Sequence, residues 1–129
     1  MVEKNFQTMF SRWIKYNLIG SGLFELKITK TKSIAFNRLE PHQKQNLLQA
    51  KHGQVCYKPP DVGFQNPCDV ICVKGGYGNV YVMYYTERGT KHFYEIDIDI
   101  WDNEEKTSPR KSLTEDRAKE IATRACYLR

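Results

Sequence analysis

The chain contains no run of about 18 apolar residues, which is the length that a membrane-spanning helix requires. Its first apolar segments are interrupted by Lys4, Arg12 and Lys15, so we expect no secretory signal. The sequence also lacks a Walker loop, a dinucleotide-binding fingerprint and any Ser-His-Asp or Cys-His catalytic signature. These absences argue against a membrane protein and against the most familiar nucleotide-binding and nucleophilic enzymes.

Cysteine is scarce, with four residues in the whole chain. Cys68 and Cys72 are separated by three residues, whereas the usual zinc knuckle has two between its cysteines. Without a secretory route, we expect reduced thiols in a cytoplasm, which would be the host cytoplasm for a viral protein. Neither a disulfide framework nor a structural zinc site is therefore predicted.

The composition is that of a folded and moderately basic domain. The 129 residues are 40% hydrophobic and 12% aromatic, which predicts a single domain over residues 1–129 with a proper core. Twenty Lys and Arg against fifteen Asp and Glu give a net charge of +5. This excess favours acidic partners, of which nucleic acid is the most common, although many basic proteins of this size bind no polyanion.

Hydrophobic periodicity predicts an α/β domain in which helices flank a mixed β-sheet. The predicted helices are residues 5–16, 41–51 and 112–125, and the predicted strands are residues 23–29, 54–57, 69–73, 80–85 and 92–101. A Pro-rich loop is predicted between the strands that start at Gln54 and Asp69, and a charged linker at 102–110. The last three strands are predicted to form a meander.

The most informative segment is the first predicted strand, in which polar and apolar residues alternate. Its apolar side chains would enter the core, and Glu25 and Lys27 would project together from the other face. An acid that holds a divalent cation, next to an amine that steadies the attacking water or the phosphate, suits metal-assisted phosphodiester hydrolysis. The same alternation also fits an ordinary strand with Glu and Lys on its solvent face.

Two aspartates could complete such a site. Asp69 stands where the Pro-rich loop enters a strand, and we expect it to be the second metal ligand. Asp61, in the same loop, is a reserve ligand. Both residues equally fit a role as turn formers beside Pro60 and Pro67.

The central predicted helix opens with His42 and Gln43, where backbone N–H groups favour an anion. Gln43 is predicted to reach a scissile phosphate or the metal-bound water, and His42 to contact DNA unless it is a plain surface residue. Basic residues in and around this helix are predicted to track phosphates, or to form only a solvated basic face. They are Lys30, Lys32, Arg38, Lys44 and Lys51.

A rival metal site is the acidic series Glu95, Asp97 and Asp99, which share one face if residues 92–101 form one strand. Such a series is also the ordinary wet face of a sheet. The aromatic residues of the preceding strand could stack on bases, or could serve as core or dimer contacts. They are Tyr81, Tyr84 and Tyr85.

The run Phe24-Glu25-Leu26-Lys27, followed by a basic segment and a helix opening with Pro41-His42-Gln43, resembles the second half of the PD-(D/E)XK nuclease core. It is most similar to the Holliday-junction-resolvase branch. The segment from Tyr57 to Asp69 is similar to the metal-binding Asp region of such enzymes. The helix that begins with Phe6-Gln7 resembles their first helix, where an acid or a Gln supports the metal site. The likeness covers roughly residues 5 to 85.

The resemblance implies a restriction-endonuclease-like fold that binds Mg²⁺, with Mn²⁺ as a substitute, and cleaves branched DNA or recombination intermediates as a homodimer. Glu25 and Asp69 would hold the metal, Lys27 and Gln43 would complete the catalytic group, and Gln7 would hold a water near the metal.

The sequence departs from the family pattern in one respect. The family Asp ordinarily precedes the E-x-K strand, and here nothing acidic lies between Asn5 and Glu25. Either Asp69 supplies it from the later loop, as in a permuted site, or catalysis is lost. The alternatives to a nuclease are a non-catalytic nucleic-acid-binding module and a small viral interaction or inhibitor protein.

Overall fold

The computed structural model describes residues 3–17, 22–57, 71–86 and 92–127. Its helices are α1 (Glu3–Asn17), α2 (Pro41–His52), α3 (Ile98–Thr107) and α4 (Glu115–Ile121), and a short 3₁₀ turn covers Phe36–Arg38. Its strands are β1 (Gly22–Thr29), β2 (Ser33–Ala35), β3 (Gln54–Tyr57), β4 (Ile71–Lys74), β5 (Tyr77–Tyr84), β6 (His92–Asp97), β7 (Ser112–Thr114) and β8 (Arg124–Tyr127).

A mixed four-stranded sheet in the order β1-β5-β6-β8 forms the centre of the fold. β1 runs parallel to β5, and the other two pairs are antiparallel. The parallel pair requires a crossover, which contains α2, as expected for parallel strands. Two further two-stranded ladders, β2-β7 and β3-β4, lie outside this sheet. Within the described residues, β1 is therefore an edge strand.

Helices cover both faces of the central sheet. Alternate residues of β5 enter two separate hydrophobic clusters, with Val80 and Val82 on one face and Tyr81 and Met83 on the other. The first cluster is closed by residues of α2, α3 and α4, namely Leu47, Trp101 and Ala118, and the second by residues of α1, namely Phe6 and Phe10. The prediction of a mixed sheet flanked by helices is confirmed.

Local sequence fixes the position of α2 on this sheet. Pro41 occupies the first turn, and Glu40 and Gln43 form a capping box around the helix start. Gly78 of β5 lies directly under the helix, since a Cβ there would collide with the carbonyl oxygen of Leu47. The missing side chain lets α2 pack closely on β5 and on its neighbour β1.

Two predicted elements near residue 100 are wrong. The strand predicted for residues 92–101 ends at Asp97, whose side chain accepts a hydrogen bond from the N–H of Asp99 at 2.9 Å and caps α3. The predicted linker at 102–110 is largely helix. Ile98, Trp101 and Glu104 are buried at helical spacing, a signal masked by the preceding period-two alternation.

The predicted meander is confirmed for one of its two strand pairs, because β5 and β6 are antiparallel neighbours. The other pair is wrong, because β4 pairs with β3 and the second neighbour of β5 is β1. Gly75, at φ 63°, turns the chain between β4 and β5 without forming a hairpin. The last helix begins after Thr114, which accepts a hydrogen bond from the N–H of Arg117, and ends at Ile121. Arg124 and Ala125, which were predicted to lie at the end of this helix, belong to β8.

Candidate active site

Glu25 and Lys27 project from β1 toward α2. Their neighbours Leu26 and Ile28 pack into the cluster on the α1 side, so alternation directs the two charged side chains to the other face. That face is covered by α2, and Lys27 is only 8% exposed. The reading of Lys27 as an ordinary solvent-face residue is therefore wrong.

The two charges are close but not tightly paired. The Nζ atom of Lys27 lies 3.9 Å from Oε2 of Glu25, and the two side chains are 10% and 32% exposed. Within the part of the chain that the structure describes, the Lys27 side chain has this one ion pair and no hydrogen bond. Because burying an amine costs free energy that such a long contact recovers poorly, its placement suits a further anionic group better than stabilisation.

Gln43 connects the start of α2 to Glu25. Its Nε2 donates to Oε2 of Glu25 at 3.3 Å, and its Oε1 accepts the backbone N–H of Glu40 at 3.0 Å. A backbone N–H can only donate, so the amide oxygen must face Glu40 and the amide nitrogen must face Glu25. Gln43 thus orients the carboxylate, and its oxygen is already used by the capping box.

A cavity of about 300 Å³ opens on the α1 side of β1. Its lining residues are Gln7, Phe10, Ser11, Phe24, Glu25 and Leu26. Gln7 is exposed there, so the structure brings it to the same cavity as Glu25. Phe24, which was expected in the core, is 37% exposed.

Two of the five basic residues predicted to contact phosphate form ion pairs with carboxylates of this chain. Nζ of Lys51 lies 2.7 Å from Asp97 and 2.6 Å from Asp99. Burial disfavours the charged amine, but the hydrogen bonds to both aspartates outweigh it and raise the pKa of Lys51. Lys44 is held in the same way by two acids of α3, Asp102 at 3.1 Å and Glu105 at 3.2 Å. Both lysines join α2 to α3.

The other basic candidates lie at the surface. Lys30 and Lys32 are exposed directly after β1. The exposed Arg38 donates from Nη2 to the carbonyl oxygen of Ile28 at 3.1 Å, which occupies an acceptor of the edge strand. His42 is exposed, with Nδ1 3.3 Å from a carboxylate oxygen of Glu40. Lys30, Lys32 and Arg38 lie in the segment between β1 and α2, and His42 lies in the first turn of α2.

The rival acidic series does not form one site. Glu95 is buried and accepts hydrogen bonds from Tyr81 Oη at 2.8 Å, Thr123 Oγ1 at 3.0 Å and Arg124 Nε at 3.0 Å. Asp97 caps α3 and Asp99 lies inside that helix, where both bind Lys51. The expectation of three carboxylates on one strand face is wrong because the strand ends at Asp97.

Two of the three tyrosines considered for base stacking lie in the interior. Tyr81 and Tyr84 are at most 1% exposed, so they are core residues and offer no surface to a base. Burial, together with the carboxylate of Glu95, raises the pKa of Tyr81 and keeps its hydroxyl protonated as a donor. Tyr85 is half-buried at the end of β5.

The two aspartates that the sequence suggested as metal ligands beside Glu25 cannot be placed relative to it. Asp61 and Asp69 both lie outside the described residues. Within the described ranges, no three His, Cys, Asp or Glu side chains come together as a metal-binding group. The Glu25 carboxylate is the hard oxygen ligand that Mg²⁺ prefers, and the cation would complete its shell with substrate phosphate, water and a second carboxylate.

Two residues at the site were not predicted from the sequence. Glu40 supplies the N–H that fixes the Gln43 amide, and the spacing of Glu40 and Gln43 before a helix was a readable capping-box signal. Phe24 faces the cavity at the edge strand, and its position in an alternating pattern gave no sign that it would be exposed.

No protein family, curated protein or solved structure matches this chain in any of three comparisons with known proteins. Among the described helices, none combines the length and the apolar composition needed to cross a bilayer.

Proposed function

We propose that the chain is a metal-dependent endonuclease that hydrolyses phosphodiester bonds of DNA, with a preference for branched DNA. The observation that carries this proposal is the convergence of Glu25, Lys27 and Gln43 at the edge of the sheet, with Lys27 buried 3.9 Å from the carboxylate. A buried amine beside an oriented carboxylate matches what metal-assisted hydrolysis of a phosphodiester needs.

Each residue has a distinct role in this mechanism. Glu25 and Asp69 would hold the divalent cation, with Asp61 as the reserve ligand, and Mg²⁺ bound there would supply a Lewis acid. Lys27 balances charge on the phosphate and positions the attacking water. Gln43 keeps the Glu25 carboxylate in place, as partners of metal ligands commonly do. Gln7 holds a water at the cavity.

The DNA backbone would follow the exposed basic residues near this site. Lys30, Lys32, Arg38 and His42 are accessible for phosphate contacts, whereas Lys44 and Lys51 mainly fix α2 against α3. A homodimer in a cytoplasm, acting on both strands of a branched substrate, completes the proposal.

The test is cleavage of a labelled four-way junction and of a linear duplex with Mg²⁺, with Mn²⁺ and with EDTA. We expect cleavage of the junction in either metal and none in EDTA. The variant Lys27→Met should cut more than about a hundredfold more slowly, because the amine acts on the charge that develops in the transition state. Lys119→Met is the matched control, since Lys119 is an exposed lysine of α4.

Other results would separate the alternatives. If Lys27→Met cleaves as fast as the parent protein, the lysine has no part in the mechanism. A non-catalytic nucleic-acid-binding module is the second candidate, favoured by the single carboxylate among the described site residues. It predicts binding that survives EDTA with no cleavage in either metal. If no DNA binds even at low salt, an interaction or inhibitor protein is left.

A further inference from the structure

Phe24 is the one exposed large apolar side chain among the residues whose side chains the structure describes. Its ring is nevertheless held firmly, because its centroid lies 5.0 Å from that of Phe10 and 6.1 Å from that of Tyr81. Both of these rings are buried. The result is a fixed aromatic surface, supported from beneath by the core and open toward the cavity on the α1 side.

The cavity beside Phe24 has a polar rim. Gln7 and Ser11 of α1 line it, and the Ser11 hydroxyl donates to the backbone oxygen of Gln7 at 2.8 Å. The side-chain amide of Gln7 makes no hydrogen bond within the described residues. It therefore offers one acceptor and two donors next to an aromatic face. A volume of about 300 Å³ lies at the lower end of small-ligand sites.

We propose that Phe24 stacks on an unpaired base of the DNA substrate while Gln7 hydrogen-bonds the edge of that base. A base inside a duplex has both faces covered by its neighbours, so only an unpaired or displaced base can present a face to the ring. An amide can bond the exposed edge of such a base, since it both donates and accepts. This inference rests on the proposed nuclease function and narrows its substrate to DNA with unpaired bases near the cleaved bond.

Strand geometry sets where that base lies. Phe24 and Glu25 are adjacent on the edge strand, and their side chains point to opposite faces of the sheet. The stacked base therefore belongs to a nucleotide near the cleaved bond, and not to the nucleotide whose phosphate lies at Glu25. Glu25 also lines the cavity, which makes the two positions continuous around the edge of β1.

The test is binding in EDTA, where no cleavage occurs, to oligonucleotides carrying 2-aminopurine at one unpaired position or at the same position in a duplex. We expect the parent protein to quench the unpaired fluorophore. Phe24→Leu should bind the unpaired substrate about 5- to 100-fold more weakly, which is the usual cost of losing one stacked base, and should bind the duplex unchanged. Phe24→Trp, which keeps an aromatic ring, should quench the fluorophore as the parent protein does, unlike Phe24→Leu.

Tyr85→Leu is the matched control, because Tyr85 lines a different cavity with Asn5, Thr8 and Met9. The proposal is overturned if Phe24→Leu binds and quenches like the parent, or if it changes only the oligomeric state. Cleavage in Mg²⁺, assayed in parallel, separates the two claims. If the parent protein cuts DNA but its binding does not depend on Phe24, only the stacking proposal is overturned. If the parent protein stacks the base through Phe24 but never cuts DNA, only the nuclease proposal is overturned.

Discussion

Two glutamates of the central sheet, Glu25 and Glu95, have opposite environments. Glu95 lies on an inner strand, and its side chain is 11% exposed with three donors within 3.0 Å. Glu25 lies on the edge strand, with its side chain 32% exposed, a lysine at 3.9 Å, an amide donor at 3.3 Å and a cavity beside it.

This difference indicates what each carboxylate does. A buried acid surrounded by short hydrogen bonds contributes to the stability of the fold, and a ligand could not enter without breaking those bonds. An acid at an open edge, oriented by an amide and flanked by a buried amine, is placed to meet something from solution. The sequence offered Glu95, Asp97 and Asp99 as a rival acidic site, and their contacts with neighbouring donors remove that rival.

The largest expected effect comes from exchanging each of these acids for its amide. Glu25→Gln should lower the rate of Mg²⁺-dependent DNA cleavage by at least about a thousandfold, because several kcal/mol of metal-assisted stabilisation are lost. Its melting temperature should stay close to that of the parent protein. Single-turnover cleavage and thermal denaturation of the same preparations provide both values.

Glu95→Gln should give the reverse pattern. The uncharged amide loses the ion pair with Arg124, and it keeps only one acceptor atom for the three donors Tyr81, Thr123 and Arg124, so unfolding should become easier by about 1–3 kcal/mol. Cleavage per folded molecule should be kept. If Glu95→Gln loses cleavage and Glu25→Gln loses stability, the functions assigned to the two acids are interchanged.

The next effect tests how Glu25 is held. Glu40 has φ −69° and ψ 154°, so Glu40→Pro fits the backbone while removing the N–H that binds the Gln43 amide. The amide is then free to turn its oxygen toward Glu25. We expect a roughly 10- to 100-fold higher Mg²⁺ requirement in the cleavage assay, the usual effect of losing a residue that orients a metal ligand.

Glu40→Ala is the control for this variant, because it keeps the backbone N–H and removes only the side-chain half of the capping box. It should lower stability by about 1 kcal/mol and leave the Mg²⁺ requirement nearly unchanged. Equal Mg²⁺ requirements for the Pro and Ala variants would show that the orientation of Gln43 does not matter.

A smaller effect separates the exposed lysines from the paired ones. Replacing Lys30 and Lys32 by Gln should weaken DNA binding several-fold and reduce the slope of log affinity against log salt by about one for each lysine. Lys44→Gln should leave that slope unchanged and lower the melting temperature, since Lys44 binds Asp102 and Glu105. Fluorescence anisotropy at several salt concentrations measures the slope. An equal change in slope for Lys44→Gln would show that Lys44 also contacts DNA phosphates.

The smallest effect concerns the acid stability of the contact between α2 and α3. The hydrogen bond from Lys51 lowers the pKa of Asp99, so this pair stabilises the fold above about pH 4 and is lost as the pH falls through the lowered value. Asp99 is 42% exposed, so its contribution should be below about 1 kcal/mol. The melting temperature, measured between pH 2 and pH 7, should depend less on pH for Asp99→Asn than for the parent protein. Asp116→Asn, which changes an exposed aspartate, is the control.

Sequence reasoning worked where a signal was local and failed where it depended on partners. The β1 alternation and the Pro41 helix start identified the elements that bear Glu25, Lys27 and Gln43, because side-chain period and capping chemistry are properties of short segments. Strand pairing was correct for β5 and β6 and wrong for β4 and β5, since adjacency in the chain suggested a β4-β5 hairpin where the structure pairs β1 with β5.

The candidate site shows the same division. Nothing in the sequence indicated that α2 would cover the polar face of β1 and bury Lys27, because this depends on the close approach at Gly78. The engagement of Lys44 and Lys51 by acids of α3 was missed because those acids were assigned to a strand and a linker. The predicted partnership of Glu25 with Asp69 stays a prediction, since Asp69 lies outside the described residues.

The most direct measurement is a titration with Mn²⁺, followed by electron paramagnetic resonance, of the parent protein and the variants Glu25→Gln, Asp69→Asn and Glu120→Gln. If Glu25 and Asp69 share a cation, the parent binds Mn²⁺ specifically, the first two variants bind it much more weakly, and the exposed-acid control Glu120→Gln matches the parent. Mn²⁺ binding that is unchanged in Glu25→Gln would contradict the proposed site, whatever the protein does to DNA.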